Sequence, residues 1–423
     1  MLEKPLLRLP GIATSDRPFL VIWEVTQACD LACSHCRASA MPEAHPLTLN
    51  LQQGRMLIEQ VRDFGPPYPL LVFTGGDPFK RADLLELVRY ARSLGLSPAL
   101  SPSATPLLTG ERLACLRDAG AKVVSLSLDG SNAAVHDSFR GVAGTFERTL
   151  EGCSMIRELG MKLQINSTVS RHNVEDLPAL AAQVYSQRVM TWSVFFLVAT
   201  GRAQSAQALS PAELEAVMHW LAEVSALIPL KTTEGHHYKR VLSMRRTLQA
   251  HGHSPEQYFQ LNPLYQQLQQ AWQALCQKHD LQPRAAARRL PMHINSGDGF
   301  VFVSHLGDVF PSGFLPLRAG NIKAQTLVEL YRHSPLFGSL RDPDRLKGRC
   351  GRCEFRQMCG GSRSRAFAMT GDELAEDPAC SYQPGSFTLA DPQPAVNGPQ
   401  PCIRSQQARD SQSDFVGPAR PRK

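Results

Sequence analysis

The sequence of 423 residues lacks several features that define large protein classes. No run approaches the roughly 18 consecutive apolar residues of a membrane-spanning helix, so we expect no membrane partner. The N-terminal segment MLEKPLLRLPGIATSDRP has no basic region followed by a long apolar core. We therefore expect no secretory signal and a cytoplasmic location. No Lys/Arg run is interleaved with aromatic residues, so the net charge of +7 does not predict a nucleic-acid partner.

Cysteine, in contrast, is abundant and clustered. Three of the eleven cysteines lie between residues 29 and 36, and four lie between residues 350 and 380. In a reducing compartment such cysteines do not form disulfides as a rule. Their clustering predicts metal or iron–sulfur ligands. The other cysteines, Cys115, Cys153, Cys276 and Cys402, are interpreted as structural or incidental.

Between residues 19 and 226, six short apolar segments alternate with six longer segments of helical period. Each connection is long enough to contain a helix, which predicts a parallel sheet. Right-handed crossovers repeated in this order curl a sheet towards a barrel. The sequence therefore predicts an α/β fold, a partial (β/α)6 TIM-type barrel with its ligand site at the carboxyl ends of the strands.

The rest of the chain divides by composition. Residues 1–18 are an N-terminal extension, and residues 227–299 are predicted to form a helical linker region. A change to period two around Leu306-Gly307-Asp308 predicts a hairpin, which opens a small C-terminal domain over 300–385. The Pro/Ser/Gln-rich residues 386–423 are predicted to be a disordered tail.

The first cysteine group follows the first predicted strand directly. Cys29, Cys33 and Cys36 are separated by three and then two residues. A 4Fe-4S cluster usually takes four cysteines, so three thiolates leave one iron open to a substrate or cofactor. A structural zinc site with His35 as fourth ligand is the alternative interpretation.

The spacing, the position after a first strand and His35 before the last cysteine resemble the radical S-adenosylmethionine superfamily. The resemblance implies a catalytic 4Fe-4S cluster on Cys29, Cys33 and Cys36, whose open iron chelates the amino and carboxylate groups of S-adenosylmethionine. It also implies reductive cleavage to a 5′-deoxyadenosyl radical that abstracts hydrogen from substrate, with an external donor such as ferredoxin or flavodoxin. The cofactor carries the chemistry, and the protein positions it.

A glycine motif ends the second predicted strand. Thr74 is followed by Gly75, Gly76, Asp77 and Pro78. Two glycines allow close approach of the backbone to a ligand. The motif resembles the family segment that contacts the amino group of the cofactor, although Asp77 stands where Glu is usual. A simple tight turn is the alternative.

Further cofactor contacts are expected at the fourth and fifth strands. Ser125, Ser127 and Asp129 close the fourth strand, where they are candidates to bind ribose, although an Asp-Gly turn explains them equally well. Asn166 and Thr168 share one face by period two. Arg140 is a candidate carboxylate clamp or an exposed loop residue.

The second cysteine group comprises Cys350, Cys353, Cys359 and Cys380, with intervals of two, five and twenty residues. It resembles the SPASM or twitch region of the superfamily, which implies a small iron–sulfur domain. Ser312 stands about where the full SPASM pattern has a further cysteine. We therefore expect one auxiliary 4Fe-4S cluster, ligated by all four cysteines.

The context CGGSRSRA resembles that of Fe-coproporphyrin decarboxylases and related radical enzymes of heme biosynthesis. A tetrapyrrole substrate is thus implied, and a basic stretch is available for its propionates: Lys231, His236, His237, Lys239, Arg240, Arg245 and Arg246. A solvated helix face is the alternative for that stretch. A peptide-maturing enzyme and, in another class, a non-catalytic iron–sulfur carrier or sensor are the alternative functions.

Overall fold

A computed structural model describes residues 13–283 and 294–388. Their strands are β1 Leu20–Thr26, β2 Leu70–Gly75, β3 Ser97–Leu100, β4 Val123–Ser127, β5 Lys162–Val169, β6 Thr191–Phe196, β7 Leu230–Thr233, β8 Phe300–Val303, β9 Asp308–Phe310 and β10 Gly320–Asn321. They form one sheet of ten strands in the order β10-β9-β8-β1-β2-β3-β4-β5-β6-β7. Strands β1 to β7 are parallel, and because β7 and β10 are edges the barrel stays open.

Helices occupy the connections between the parallel strands: α1 Leu51–Arg62, α2 Leu84–Ser93, α3 Gly110–Asp118, α4 Ala133–Arg140, α5 Thr145–Glu158, α6 Leu177–Ser186 and α7 Pro211–Val224. Local sequence fixes several of their ends. Asn50 and Gln53 form a capping box at α1, and Ser210 and Glu213 form one at α7. The later helices are α8 His237–Ala250, α9 Pro255–Tyr258, α10 Pro263–Lys278, α11 Leu327–His333, α12 Pro335–Arg341, α13 Gly348–Arg352 and α14 Arg363–Thr370.

The two faces of the sheet have different partners. On β1, Val21, Trp23 and Val25 are fully buried in the main core, whereas Leu20 and Ile22 line an internal cavity. This alternation is the period of two that a strand imposes. The outward side chains therefore hold the helices, and the inward side chains shape the cavity.

The predicted α/β fold and its six strand–helix units are confirmed. The segment 227–299 was expected to be helical, but it begins with β7, which pairs with β6. The strand has the sequence LKTT, in which two residues are β-branched. Four residues are too few to show the alternation of apolar and polar side chains from which a strand is predicted.

The predicted hairpin is also confirmed, since β8 and β9 pair antiparallel. Strand β8 in addition pairs parallel with β1. The C-terminal region thus extends the barrel sheet. The boundaries proposed for the individual domains stay predictions.

Some sequence-based expectations lie outside the described residues. These are the first twelve residues of the N-terminal extension and, beyond residue 388, the tail with Cys402. Within the part that the structure describes, no helix combines the length and the apolar character needed to cross a bilayer.

Candidate active site

An internal cavity of about 1020 Å³ lies on the inward face of the barrel. Its wall combines the first cysteine group with polar residues of β4 and β5, including Ser125, Ser127, Gln164, Asn166 and Thr168. Asn166 and Thr168 thus share the inward face as predicted. The volume is at the upper end of the usual range for small-molecule sites, so this cavity (hereafter the large cavity) has room for a large ligand or for two adjacent ones.

All three cysteines of the first group line the large cavity. Backbone amides support two of them: Leu31 N–H donates to Cys29 Sγ at 3.4 Å, and Ala40 N–H donates to Cys36 Sγ at 3.4 Å. The Arg140 guanidinium lies 3.7 Å from Cys33 Sγ. Amide and guanidinium donors stabilise thiolates, which are the form that binds iron. In the free protein, burial raises the pKa of the Cys29 thiol.

Gly75 and Gly76 also line the large cavity, and both are packed against the start of the cysteine loop. Gly75 has φ +149°, and a Cβ there would lie 2.2 Å from Thr26 O. A Cβ on Gly76 would lie 2.4 Å from Ala28 O. Only glycine permits this contact, which places the end of β2 beside the first cysteine.

Asp77 and Pro78 do not line the large cavity; their side chains are buried next to it. The Asp77 carboxylate accepts from Thr105 Oγ1 at 2.7 Å and from Phe79 N at 3.0 Å. Burial raises the pKa of this carboxyl. Asp77 therefore braces the loop after β3 rather than facing the cavity.

The same loop supplies a residue that the sequence did not reveal. Ser103 lines the large cavity, and its hydroxyl donates to Gly76 O at 2.8 Å and lies 3.6 Å from Cys29 Sγ. Ser103 joins the glycine motif to the first cysteine. No local motif marks it, because the contact depends on the neighbouring position of β3 in the sheet.

Ser127, Asn166 and Arg140 line the large cavity, whereas Asp129 lies behind it and is fully buried. Asp129 forms an ion pair with Arg140 and accepts from Thr168 N at 2.6 Å. Burial works against the charge of Arg140, but Asp129 and Cys33 outweigh it and raise the arginine pKa. Asp129 thus orients Arg140, which is not an exposed loop residue.

A buried cluster that begins directly after Cys36, the last cysteine of the first group, is a second feature that the sequence did not reveal. Arg37 pairs with Glu24 of β1 at 2.5 Å, and Glu24 also contacts His305 Nδ1 at 2.7 Å. Burial works to raise the pKa of Glu24, but Arg37 and His305 outweigh it and lower that pKa. These contacts attach the end of the cysteine loop, at Arg37, to the turn of the hairpin, at His305.

The basic stretch contributes directly to the large cavity. His236, Lys239, Leu242 and Arg246 line it at intervals of three, three and four residues, so they form one face of α8, here called the cavity face. Lys231 of β7 and Arg245 line the same cavity. Burial lowers the pKa of Lys239 to about 8 and that of His236 well below its usual value. The interpretation as a solvated helix face is wrong for His236 and Arg245, which are both buried.

The neighbouring face of α8 points elsewhere. His237, Arg240 and Met244, here called the cysteine face, contact the second cysteine group or its surroundings. Arg240 is 1% exposed and forms two hydrogen bonds with Glu215 of α7, at 2.7 and 2.6 Å. One helix therefore separates the large cavity from the second cysteine group.

The four cysteines of the second group surround a separate cavity of about 30 Å³, hereafter the four-cysteine cavity. Two backbone amides support the sulfur atoms: Asp377 N–H donates to Cys350 Sγ at 3.3 Å, and Gly361 N–H donates to Cys359 Sγ at 3.4 Å. Burial raises the pKa of Cys353 to about 11 and that of Cys359 to about 12.

Cys380 behaves differently from the other three. Burial works to raise its thiol pKa, but the interaction with His237 outweighs it and lowers that pKa. His237 in turn is paired with Asp377, and this carboxylate outweighs burial and raises the histidine pKa to about 9. The thiolate is therefore easier to form at Cys380 than at the other three cysteines of this group, whose pKa burial raises.

Both cysteine groups fit iron–sulfur ligation by their donor chemistry. Each group gathers thiols at one cavity and supplies amide or guanidinium donors to the sulfur atoms. Among residues 13–283 and 294–388, no three His, Cys, Asp or Glu side chains are arranged around a point as a single metal ion requires. The fit therefore rests on the convergence of the cysteines and on their sulfur-directed donors.

Comparison with known proteins gives consistent matches. The model of the Radical SAM superfamily matches residues 23–184. The AdoMet-dependent heme synthase of Oleidesulfovibrio alaskensis is 37% identical over 376 residues, covering 88% of this chain and 89% of that protein. The AdoMet-dependent heme synthase of Methanosarcina barkeri is 36% identical over 383 residues, covering 88% of this chain and 99% of that protein.

Among solved structures, Streptococcus suis SuiB bound to precursor peptide SuiA superposes with a TM-score of 0.60 over 87% of this chain and 76% of that chain. Its sequence identity of 17% is low, so this likeness concerns the fold alone.

Proposed function

Because the chain belongs to the radical S-adenosylmethionine superfamily, we propose that it converts propionate side chains of an iron-bound tetrapyrrole in heme synthesis. The enzyme binds a 4Fe-4S cluster and S-adenosylmethionine, as the family does. The relatives that carry the name heme synthase cover nearly the whole chain. The proposal extends their substrate class to this protein.

One observation carries the proposal: the first cysteine group and the basic cavity face of α8 line the same large cavity. A tetrapyrrole with propionates is large, mostly apolar and anionic at its edge. Leu20, Ile22 and Val72 supply apolar wall, while Lys239 and Arg246 supply cations. A substrate held by its carboxylates at α8 thus faces the cysteine loop across one space.

The residues assigned to the catalytic cluster are Cys29, Cys33 and Cys36, with Arg140 and two backbone amides directed at their sulfur atoms. Gly75 and Gly76 offer backbone groups to the amino group of S-adenosylmethionine, and Ser127 and Asn166 offer polar side chains to its ribose. When bound, the cluster and the cofactor supply a radical that abstracts a hydrogen atom. Asp77 and Asp129 act by bracing these contacts.

The net conversion of a propionate to a vinyl group defines which atoms and electrons the enzyme must remove from the substrate. The side chain loses CO2, gives one hydrogen atom to the deoxyadenosyl group and gives one electron to a one-electron acceptor such as an oxidised iron–sulfur cluster. An external donor such as ferredoxin or flavodoxin supplies the electron that starts each cycle. The propionate must be held so that the carbon that loses hydrogen faces the deoxyadenosyl group, and Lys239 and His236 line the cavity where they can bind the carboxylate.

The second cysteine group is assigned to one auxiliary 4Fe-4S cluster. Cys350, Cys353, Cys359 and Cys380 surround the four-cysteine cavity. Ser312 lines the large cavity instead, where its hydroxyl donates to Glu234 at 3.3 Å. This placement supports one auxiliary cluster with four cysteine ligands, as the sequence predicts.

Anaerobic reconstituted protein with dithionite, S-adenosylmethionine and iron-coproporphyrin tests the function. We expect 5′-deoxyadenosine and a porphyrin product that has lost CO2 and two hydrogen atoms per converted side chain, detected by mass spectrometry. The Cys33→Ala variant is the matched control and should form neither product.

The alternatives give different results in the same assay. Cofactor cleavage without any binding of iron-coproporphyrin at micromolar concentration would direct the search to a peptide substrate. Complete absence of 5′-deoxyadenosine from protein with its irons in place would leave a non-catalytic electron carrier or sensor.

A further inference from the structure

His236 is a buried histidine on the cavity face of α8, and the preceding strand determines at which end of the barrel it lies. Strand β7 ends at Thr233, so His236 lies just beyond the carboxyl end of that strand. The first cysteine group lies just beyond the carboxyl end of β1, which runs in the same direction within the parallel part of the sheet. The imidazole and the catalytic cysteines therefore line the large cavity from the same end of the barrel.

The loop that carries His236 is held by its neighbours in the sequence. Thr232 Oγ1 donates to Gly235 O at 2.9 Å, across the turn between β7 and α8. The carboxylate of Glu234 is buried and accepts from Ser364 Oγ at 2.9 Å. The backbone position of His236 is thus fixed without any hydrogen bond from its own side chain.

The imidazole of His236 faces the large cavity and is 8% exposed. Among residues 13–283 and 294–388, its ring forms no hydrogen bond and no ion pair. A buried polar group without a partner usually has one in the functional state, so the partner of His236 is expected to be a ligand in the cavity. Burial also lowers the pKa of His236 well below its usual value, which leaves one ring nitrogen with a free lone pair.

A neutral imidazole suits iron better than it suits a carboxylate. It offers a carboxylate one uncharged N–H, whereas Lys239, one turn further along the same face, offers a cation. Imidazole nitrogen is a common protein ligand of tetrapyrrole iron. His35 is the other histidine among the described residues that line the cavity, but its ring is stacked on Phe139, with the centroids 4.0 Å apart. His236 is therefore the histidine that can receive the iron of a substrate.

The cations of the cavity face are spaced to suit the rim of such a substrate. Iron lies at the centre of a tetrapyrrole and the propionates lie at its rim, so their protein partners must be separated. Lys239 and Arg246 follow His236 by three and ten residues, which corresponds to about 4.5 Å and about 15 Å along the helix axis. A macrocycle that lies against α8 can thus contact His236 through its iron and the two cations through its carboxylates.

We propose that His236 is a substrate-binding residue that coordinates the iron of the tetrapyrrole and thereby determines which propionates face the catalytic cysteines. A ring nitrogen donates its lone pair to the iron in place of a solvent molecule, so no proton and no electron is transferred. The carboxylates are left to Lys239 and Arg246. The inference rests on the proposed function, because it needs an iron-bound tetrapyrrole in the large cavity.

Absorption titrations of reconstituted full-length protein compare iron-coproporphyrin with metal-free coproporphyrin, without S-adenosylmethionine so that no turnover occurs. His236→Gln keeps an N–H donor for a carboxylate but lacks the imidazole. We expect this variant to bind iron-coproporphyrin about tenfold more weakly than the parent and to bind the metal-free porphyrin equally well. His251→Ala is the matched control, because His251 caps the other end of α8, is exposed and does not line the cavity. It should bind both porphyrins as the parent does.

Resonance Raman spectroscopy of the ferrous complex identifies the iron ligand directly. The parent should show an iron–histidine stretching band, and His236→Gly should lose this band and regain it when imidazole is added. A parent without the band, or a band that persists in both His236 variants, would overturn the proposal. Equal weakening of both porphyrins in His236→Gln would also overturn it, because His236 would then hold a carboxylate. A parent that binds neither porphyrin at micromolar concentration would instead contradict the tetrapyrrole substrate of the proposed function.

Discussion

At the scale of single residues, the glycine motif depends on contacts that only hydrogen side chains allow. Gly76 lies so close to the cysteine loop that an added Cβ would meet Ala28 O at 2.4 Å and Gln27 O at 2.6 Å. Both atoms belong to the backbone, which cannot rotate away as a side chain can. The distance between β2 and the first cysteine is therefore set by this residue.

We expect Gly76→Ala to displace residues 27–29 and to lower the iron content of the catalytic cluster at least about twofold, with a destabilisation of about 2 kcal/mol from the steric conflict. Iron analysis and denaturant unfolding measure the two effects. Gly338→Ala is the matched control, because Gly338 lies in α12 and a Cβ added there would have no neighbouring atom within 4 Å. That variant should keep its iron and be as stable as the parent or slightly more so. Normal iron content in Gly76→Ala would contradict the assigned contact.

Lys239 gives the large cavity a dependence on pH. Burial lowers the pKa of Lys239 to about 8, while propionates remain ionised throughout the neutral range. The lysine is charged below that pKa and neutral above it. Its attraction for a carboxylate is therefore present at neutral pH and is lost as the pH rises through about 8. His236 does not contribute charge here, because burial lowers its pKa well below the usual value.

We expect the affinity for iron-coproporphyrin to fall about tenfold between about pH 7 and about pH 9, measured by visible absorption titration. In Lys239→Met, the affinity at neutral pH should already be lower by about tenfold, since a charge-assisted hydrogen bond is lost, and most of the pH dependence should disappear. An unchanged pH profile in Lys239→Met would assign the dependence to another group.

The candidate site illustrates what residue patterns can predict. Cysteine spacing identified both ligand groups because the spacing is local in sequence. Asp77 and Asp129 were expected to contact the cofactor, but each is turned into the protein by a partner from another part of the barrel: Thr105 in the loop after β3 for Asp77, and Thr168 on β5 for Asp129. Ser103 was missed for the same reason. Which of two polar residues at a strand end faces the cavity depends on tertiary contacts that no local pattern contains.

At the scale of elements, α7 and α8 are joined by a buried ion pair that also supports the cysteine face. Arg240 of α8 is 1% exposed, and Glu215 of α7 accepts two of its hydrogen bonds. Burial works to raise the pKa of Glu215, but Arg240 and His219 outweigh it and lower that pKa. Removing the carboxylate would leave the guanidinium buried without its partner.

We expect Glu215→Gln to destabilise the protein by about 3 kcal/mol, measured by denaturant unfolding under anaerobic conditions. Glu86→Gln is the matched control, because Glu86 pairs with Arg55 on the surface, where both side chains are about half exposed. That exposed pair should contribute less than about 0.5 kcal/mol. Similar losses in the two variants would show that the α7–α8 pair does not act as a buried one.

Sequence reasoning predicted the basic stretch but not its division between two sites. Six parallel units could be predicted because each carries a strand and a helix of full length. Helix α8 follows the short strand β7, and its cavity face and cysteine face are both rich in cations. A helix with polar residues on two sides resembles a solvated one in sequence. Only the elements that cover it reveal that both sides face the interior.

At the scale of the whole molecule, the order of the sheet connects distant parts of the sequence. Strand β8 pairs with β1, which places the hairpin beside the strand that leads into the first cysteine group. Arg37 then contacts Glu24 and Gly313, 13 and 276 residues away. The C-terminal region is thus part of the architecture that holds the catalytic cysteine loop, although its own cysteines surround a different cavity.

This architecture keeps the two cysteine groups chemically separate, since the large cavity and the four-cysteine cavity share no cysteine and lie on different faces of α8. We therefore expect about eight irons in the reconstituted chain and about four after either group is removed. Cys29→Ala, Cys33→Ala and Cys36→Ala together should also abolish cofactor cleavage. Cys350→Ala with Cys353→Ala should leave some cleavage that is uncoupled from substrate.

Iron and sulfide analysis of anaerobic protein, with 5′-deoxyadenosine measured on the same samples, checks both statements. Cys153→Ala is a suitable control, because Cys153 is fully buried in the core away from both cavities and burial raises its pKa to about 12. It should retain all its iron, since a buried thiol of this kind is neither a ligand nor reactive. Loss of all iron on removal of one group would show that the two sites load together, and an unchanged count would remove that group from the ligand assignment.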